Sequence, residues 1–191
     1  MRHFTRLATV VALASTIGFM AGIKHLYAET LPKAVIAVID TRMVRFNSAA
    51  GKDIQAQLDQ IRQKFQNEIA AKEKQLKEEE ESLKTQRSIM QKEAYEAKVR
   101  EFQGKVVAVQ REVQLKQRQM EAALVNAQNE VQRALKPILQ KVLNEHGATV
   151  IMDKSLIIEQ VPGLDVTTKV IEQLDQVLPT VKVELPQVEG K

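Results

Sequence analysis

Residues 51–146 carry one continuous helical pattern, and the rest of the chain can only be placed around it. The segment holds about half of the chain, with a single proline (Pro137) and a single interior glycine (Gly104). It is dominated by Gln, Glu, Lys, Arg, Ala, Leu and Val, so the breaks that a compact all-helical fold would need are missing. Large apolar residues recur at steps of three and four: Ile54, Leu58, Ile61, Phe65, Ile69, Leu76, Leu83 and Met90. The stripe resumes as Tyr95, Val99, Phe102, Val106, Val109, Val113, Met120, Leu124, Ala127 and Val131. So narrow a stripe is the seam of a coiled coil. Glu precedes Lys or Arg by four residues at Glu68/Lys72, Glu73/Lys77, Glu80/Lys84, Glu96/Arg100, Glu101/Lys105 and Glu112/Lys116, an order that suits exposed helix faces.

As a single helix this segment would reach about 140 Å. A fold-back is favoured instead, because residue numbers summing to about 182 bring apolar residues opposite one another along both arms: Leu83 with Val99, Leu76 with Val106, Ile69 with Val113, Leu58 with Leu124. The turn then falls at residues 88–92, although neither Gly nor Pro marks it. Apolar spacing thins toward that turn, so the tip should fray more easily than the base. Pro137 lacks an amide donor and is expected to kink the second arm as it leaves the prong.

The flanks of the hairpin read differently. Residues 33–40 (KAVIAVID) form a short β-branched run that suits a buried strand, and Asn47 or Ser48 can cap the first long helix. Gly147 stands where a C-cap glycine should. Residues 148–153 (ATVIMD) read as a second strand and 156–161 (LIIEQV) as a third. Residues 165–178 read as a closing helix, with Asp165 or Thr167 as cap and Pro179 as stop. The fold class is therefore α+β: a long antiparallel coiled-coil hairpin, 51–146, attached to a small β-rich body made of 29–50 and 147–179. The last stretch, 180–191, has no periodicity and is expected to be disordered. So thin a core needs a staple, and with no cysteine in the chain a disulfide is excluded, which leaves oligomerisation through the strand module.

Residues 1–28 read as a cleavable signal peptide: Arg2 and Arg6 precede an apolar run, and Ala28 offers a small residue before the cut. An uncleaved anchor at the inner membrane is the competing reading. Arg2, Arg6 and Lys24 leave with the segment, so of 28 basic residues 25 remain against 24 acidic ones. That near-neutral balance does not suit a nucleic-acid-binding protein.

Little in the chain carries chemistry. There is no Gly-rich phosphate loop, no nucleophile elbow and no metal-ligand spacing, so no catalytic residue, cofactor or metal is assigned, and an enzyme is not expected. His146, outside the signal the only histidine, suits the negative end of a helix. The run Glu78 to Glu81, flanked by Lys77 and Lys84, reads as a solvated face. Around the turn bases outnumber acids and a few apolar residues are interleaved. Lys84, Arg87, Ile89, Met90, Lys92, Tyr95, Lys98 and Arg100 are thus the candidate contacts to an acidic client or anionic lipid.

Two stretches, VIAVIDTRMVRFN (35–47) and ATVIMDKSLIIEQVPGLDVTTKVIEQLD (148–175), bracket the hairpin. In that order and layout the chain resembles the Skp/OmpH family of periplasmic chaperones, over nearly all of its length after residue 28. The resemblance implies a homotrimer whose strands join into a small barrel. Helical prongs would hang from it around a cavity that holds unfolded outer-membrane proteins without ATP. It also implies periplasmic localisation. Family members that bind acidic surfaces are strongly basic, whereas this chain is nearly neutral, which leaves only weak contact with anionic lipid or lipopolysaccharide. The alternative function is a structural or adaptor coiled coil at the inner membrane.

Overall fold

The computed structural model describes residues 31–187; the expected signal peptide, 1–28, lies outside them, as do residues 188–191. The elements all belong to the compact unit that begins at Lys33. Strand β1 (Ile36–Ile39) leads into a short helix α1 (Thr41–Asn47) and then a long helix α2 (Ala49–Gln86). After a turn comes α3 (Lys92–Glu145), followed by β2 (Val150–Asp153), a 3₁₀ turn (Lys154–Leu156) and α4 (Thr167–Val177).

The helix starts are set by short polar side chains. The Asp40 carboxylate accepts the Met43 amide at 2.8 Å and caps α1, and the buried Ser48 hydroxyl accepts the Gly51 amide at 3.1 Å and caps α2. A second orphan amide of α2, that of Ala49, donates to Asp175 of α4 at 2.7 Å, a negative charge placed where the helix dipole is positive. Between α1 and α2 the backbones nearly touch at Gly51. At the other end of the hairpin, Gly147 adopts φ 59° and lets the Ala148 amide reach back to the Leu143 carbonyl at 2.9 Å, closing α3. Helix α3 runs through Pro137, which is exposed and removes one helical donor.

The turn joining α2 to α3 covers residues 87–91, as the seam spacing requires, and α2 at about 57 Å is one arm of the prong. Four polar links cross between the arms: Glu68 to Lys116 at 2.6 Å, Lys72 to Glu112, Glu79 to Lys105 at 2.8 Å and Gln86 to Lys98 at 2.8 Å. All four lie in one register, two residues from the one that aligned the apolar seam. Glu68 and Lys72 therefore do not pair along their own helix; each reaches across to the opposite arm.

The hairpin returns the chain to the end it left from, so β1 and β2 pair in parallel, with Ile36 opposite Val150 and Ile39 opposite Asp153. A parallel pair needs a long crossover; here the whole prong supplies it. The third strand expected at 156–161 does not form. At Asp153 the carboxylate accepts the Ser155 amide at 2.8 Å and the Ser155 hydroxyl, and this turns the chain out of the sheet. The free edge of β1 is taken instead by residues 164–166: the Val38 amide donates to the Leu164 carbonyl at 2.8 Å, and the Val166 amide to the Val38 carbonyl at 2.9 Å.

Two apolar clusters result. One lies in the body, where Ala37, Ile39, Val44, Ile138, Val142, Val166, Val170 and Leu174 are buried together. The other lies at the prong base, where Ala50, Ile54, Leu58, Ala123 and Ala127 meet Val181 and Val183. The second cluster runs against the disordered tail expected from residue 180 on, over the described residues up to 187; the rest of that expectation, 188–191, lies outside the described residues. Val181 is only 1% exposed, and the segment is held against the two arms as far as the Pro186 carbonyl, which accepts from Gln119. The absence of periodicity was a poor guide because two alternating valines suffice once the helices offer a groove.

Candidate functional site

Among the described residues the candidate sites are surfaces: the tip of the prong, its flanks, and the open face of the body. At the tip, Leu83 is buried and closes the distal end of the seam. Ile89 projects from the turn at 81% exposure, while Met90 and Tyr95 are half-buried. The structure brings all eight candidate residues to this end of the hairpin and divides them electrically. Lys84 is held by Glu80 and Glu81, each at 3.0 Å, and Lys98 by the Gln86 side chain. Arg87, Lys92 and Arg100 make no ion pair among the described residues. The positive character of the tip therefore rests on these three with Lys98, not on Lys84.

Down the flanks, each carboxylate of the run Glu78 to Glu81 faces a lysine: Glu78 toward Lys74, Glu79 to Lys105, and Glu80 and Glu81 to Lys84. Lys116 lies deepest. It stands between Glu68 and Glu112, with its ammonium 4.1 Å from the centre of the Phe65 ring, and its side chain is 16% exposed. A cation held over a ring and beside two carboxylates ties the arms where the apolar stripe is narrow. Lys116→Ala should lower stability by about 1 kcal/mol, read as a fall in the urea midpoint. A change below a few tenths would show that the arms do not depend on this link.

His146 stands at the C-cap of α3, and its Nε2 lies 3.1 Å from the Lys169 ammonium.

The body's polar hub is the pair Asp153 and Asp165. Hydrogen bonds from Ser155 and Thr41 hold the Asp153 carboxyl well below the usual carboxylate range. Burial pushes the Asp165 carboxyl up, but hydrogen bonds from Lys154 and Thr167, with the Lys154 charge, outweigh it and hold the group at about 2. Both groups stay ionised in the folded body, so the stability they contribute is present above the ordinary carboxylate pKa of about 4 and is lost as the pH falls toward about 2. The urea midpoint should fall across that window, and Asp165→Asn should flatten part of the slope. An unchanged slope in that variant would remove Asp165 from the account.

The open face is apolar. Ile36 and Val150, register partners in the sheet, are both exposed; beyond β2, Leu156 is 73% exposed, Ile158 fully so, and Val161 is exposed as well. Among the described residues, the run read as a third strand thus leaves Leu156, Ile158 and Val161 uncovered, and β2 keeps an unpaired edge. Apolar residues and a free strand edge side by side are the features of a surface that another chain covers. Sequence reading found these residues but gave them a place inside the sheet.

Among the described residues no helix is long and apolar enough to cross a membrane. Residues 35–174 match the family model described as outer membrane protein (OmpH-like). No curated protein sequence matches the chain. Among solved structures, a candidate outer membrane chaperone (OmpH-like) from Caulobacter crescentus CB15 superposes with a TM-score of 0.78 at 23% sequence identity. The match covers 85% of this chain and 96% of that one.

Proposed function

The chain belongs to the OmpH-like family of outer membrane proteins, and from that premise we propose that it is an ATP-independent holdase of the periplasm for unfolded outer-membrane β-barrel chains. The observation that carries the reading is the pairing of a long, polar-flanked prong with a body whose apolar edge is open. Association through Ile36, Val150, Leu156 and Ile158 would cover that edge and set several prongs side by side. Three chains is the number that the resemblance implies. The prongs then enclose a wet space whose walls are charged, with part of that charge paired along and between the arms. Such walls shield an unfolded chain from its neighbours without gripping it. Any contact with anionic lipid falls to the tip, through Arg87, Lys92, Lys98 and Arg100.

The test is light scattering as a urea-unfolded outer-membrane β-barrel protein is diluted into buffer with the chain after residue 28. Suppression that saturates near three chains per client, without nucleotide, is the expected result. A folded, helical protein that leaves scattering unchanged would end the chaperone reading and favour the adaptor. In the same assay, reversing the charge of Arg87, Lys92, Lys98 and Arg100 should weaken client capture at low salt. Unchanged capture would remove the tip from the binding surface.

A further inference from the structure

The C-terminal segment from residue 180 to 187 lies on the prong base as a bound peptide would. Val181 and Val183 point into the helical groove and are buried, while Lys182 and Glu184 point out and pair with each other at 2.6 Å. Alternation of that kind belongs to an extended chain. The groove floor is small and apolar, made by Ala50, Ile54, Leu58, Ala123 and Ala127.

The polar contacts go to the segment's backbone. The Val181 amide donates to Asp53 Oδ2 at 3.1 Å. The Gln57 side chain donates to the Val181 carbonyl at 2.8 Å and accepts the Val183 amide at 2.9 Å, and Gln119 donates to the Pro186 carbonyl at 3.2 Å. Gln57 in turn donates to Asp53 Oδ2 at 2.8 Å, which orients its amide in advance. One glutamine side chain thus does for an extended backbone what a neighbouring strand does, offering a donor and an acceptor at β spacing. It reads a backbone with apolar residues at alternate positions and does not ask what the residues between them are.

That pattern, apolar and polar in alternation, is the pattern of a transmembrane β-strand. We propose that the groove at the prong base is a binding site for extended segments of unfolded outer-membrane β-barrel clients, with the chain's own tail as its resident ligand, displaced when a client strand binds. The choice of client rests on the chaperone reading above; the groove and its tail do not. A tethered tail competes at an effective concentration in the millimolar range, so the groove stays closed to weak ligands and opens to a long client that can bind at several points.

The test uses the full chain and a fluorescein-labelled peptide, TVKVELPQ, which is the sequence of residues 180–187. In a variant carrying V181D and V183D the tail should leave the groove. The peptide should then bind at least about tenfold more tightly than to the unaltered chain, where the tail competes. Adding Gln57→Ala to that variant should weaken the peptide about tenfold, the effect of losing a paired backbone contact. A peptide of the same composition with its two valines adjacent should not bind. Equal affinity for both proteins, or indifference to Gln57, would overturn the proposal.

Hydrogen exchange on the unaltered chain gives a reading that does not depend on the variant's folding. The Val181 and Val183 amides should lose protection when an unfolded β-barrel client is added, and protection that persists would overturn client exchange. The scattering assay separates the two readings. Suppressed scattering with the tail still protected defeats the groove proposal alone. Unsuppressed scattering with peptide exchange intact defeats the chaperone alone.

Discussion

Gly51→Ala should destabilise the chain by about 3 kcal/mol, while the same substitution at Gly104 should stabilise it by about 1 kcal/mol. Both glycines lie within long helices, where replacing Gly by Ala ordinarily helps because Ala loses less backbone freedom on folding. At Gly104 that rule applies unopposed, since a methyl group there would meet nothing within 4 Å. At Gly51 a Cβ would stand 1.9 Å from the Arg45 carbonyl oxygen and 2.8 Å from its carbon. The obstacle is the backbone of α1, which cannot swing aside as a side chain would. Relief requires opening the corner between α1 and α2, and with it the bond from the Gly51 amide to Ser48 that starts the prong. The measurement is the urea midpoint of each variant followed by circular dichroism. Equal effects at the two positions would show that the close approach at Gly51 carries no energetic weight.

Leu174→Ala should cost about 3 to 4 kcal/mol. Leu174 has no exposed surface and is packed in the body with Val170, Val142, Ile138 and Ile39, so truncation leaves a cavity that two short strands and three helices have little slack to fill. The neighbouring position gives the contrast. Val177 lies three residues on in the same helix, is 63% exposed, and should tolerate Ala within about 0.5 kcal/mol. Because α4 also sends Asp175 to the first amide of α2, loosening it should be felt at the base of the prong. Tail protection at Val181 is therefore expected to fall along with global stability in the Leu174 variant, and hydrogen exchange reads both. A Leu174 variant as stable as the unaltered chain would mean that the body does not rely on α4.

What could be read in advance follows from the range of the interaction involved. The prong was legible because a coiled-coil seam is local: each apolar residue is followed three or four positions later by the next, and antiparallel pairing then sets the turn by arithmetic. Gly147 was legible for the same reason, and Ser48 as one of two candidates beside Asn47, since a helix cap is decided within a few residues. The cross-arm links were not. Glu68 has Lys72 on its own helix and Lys116 on the other, and only the separation of the arms decides that it bonds to Lys116. Nor was the fate of residues 156–161, whose apolar, β-branched run suits a strand. Whether it joins the sheet depends on which segment occupies the free edge of β1, and residues 164–166 take it.

By itself, then, the sequence determined the two-armed prong, the strands at its root and the residues gathered at its tip, all of them consequences of periodicity and capping along a continuous stretch. The tertiary structure alone decided where the tail goes. Residues 180–187 have no pattern of their own beyond two alternating valines, and their backbone groups find partners in Asp53, Gln57 and Gln119, on the arms of the prong. A groove exists only once two helices lie side by side, and a segment that satisfies its hydrogen bonds there cannot be told, in one dimension, from one left in water.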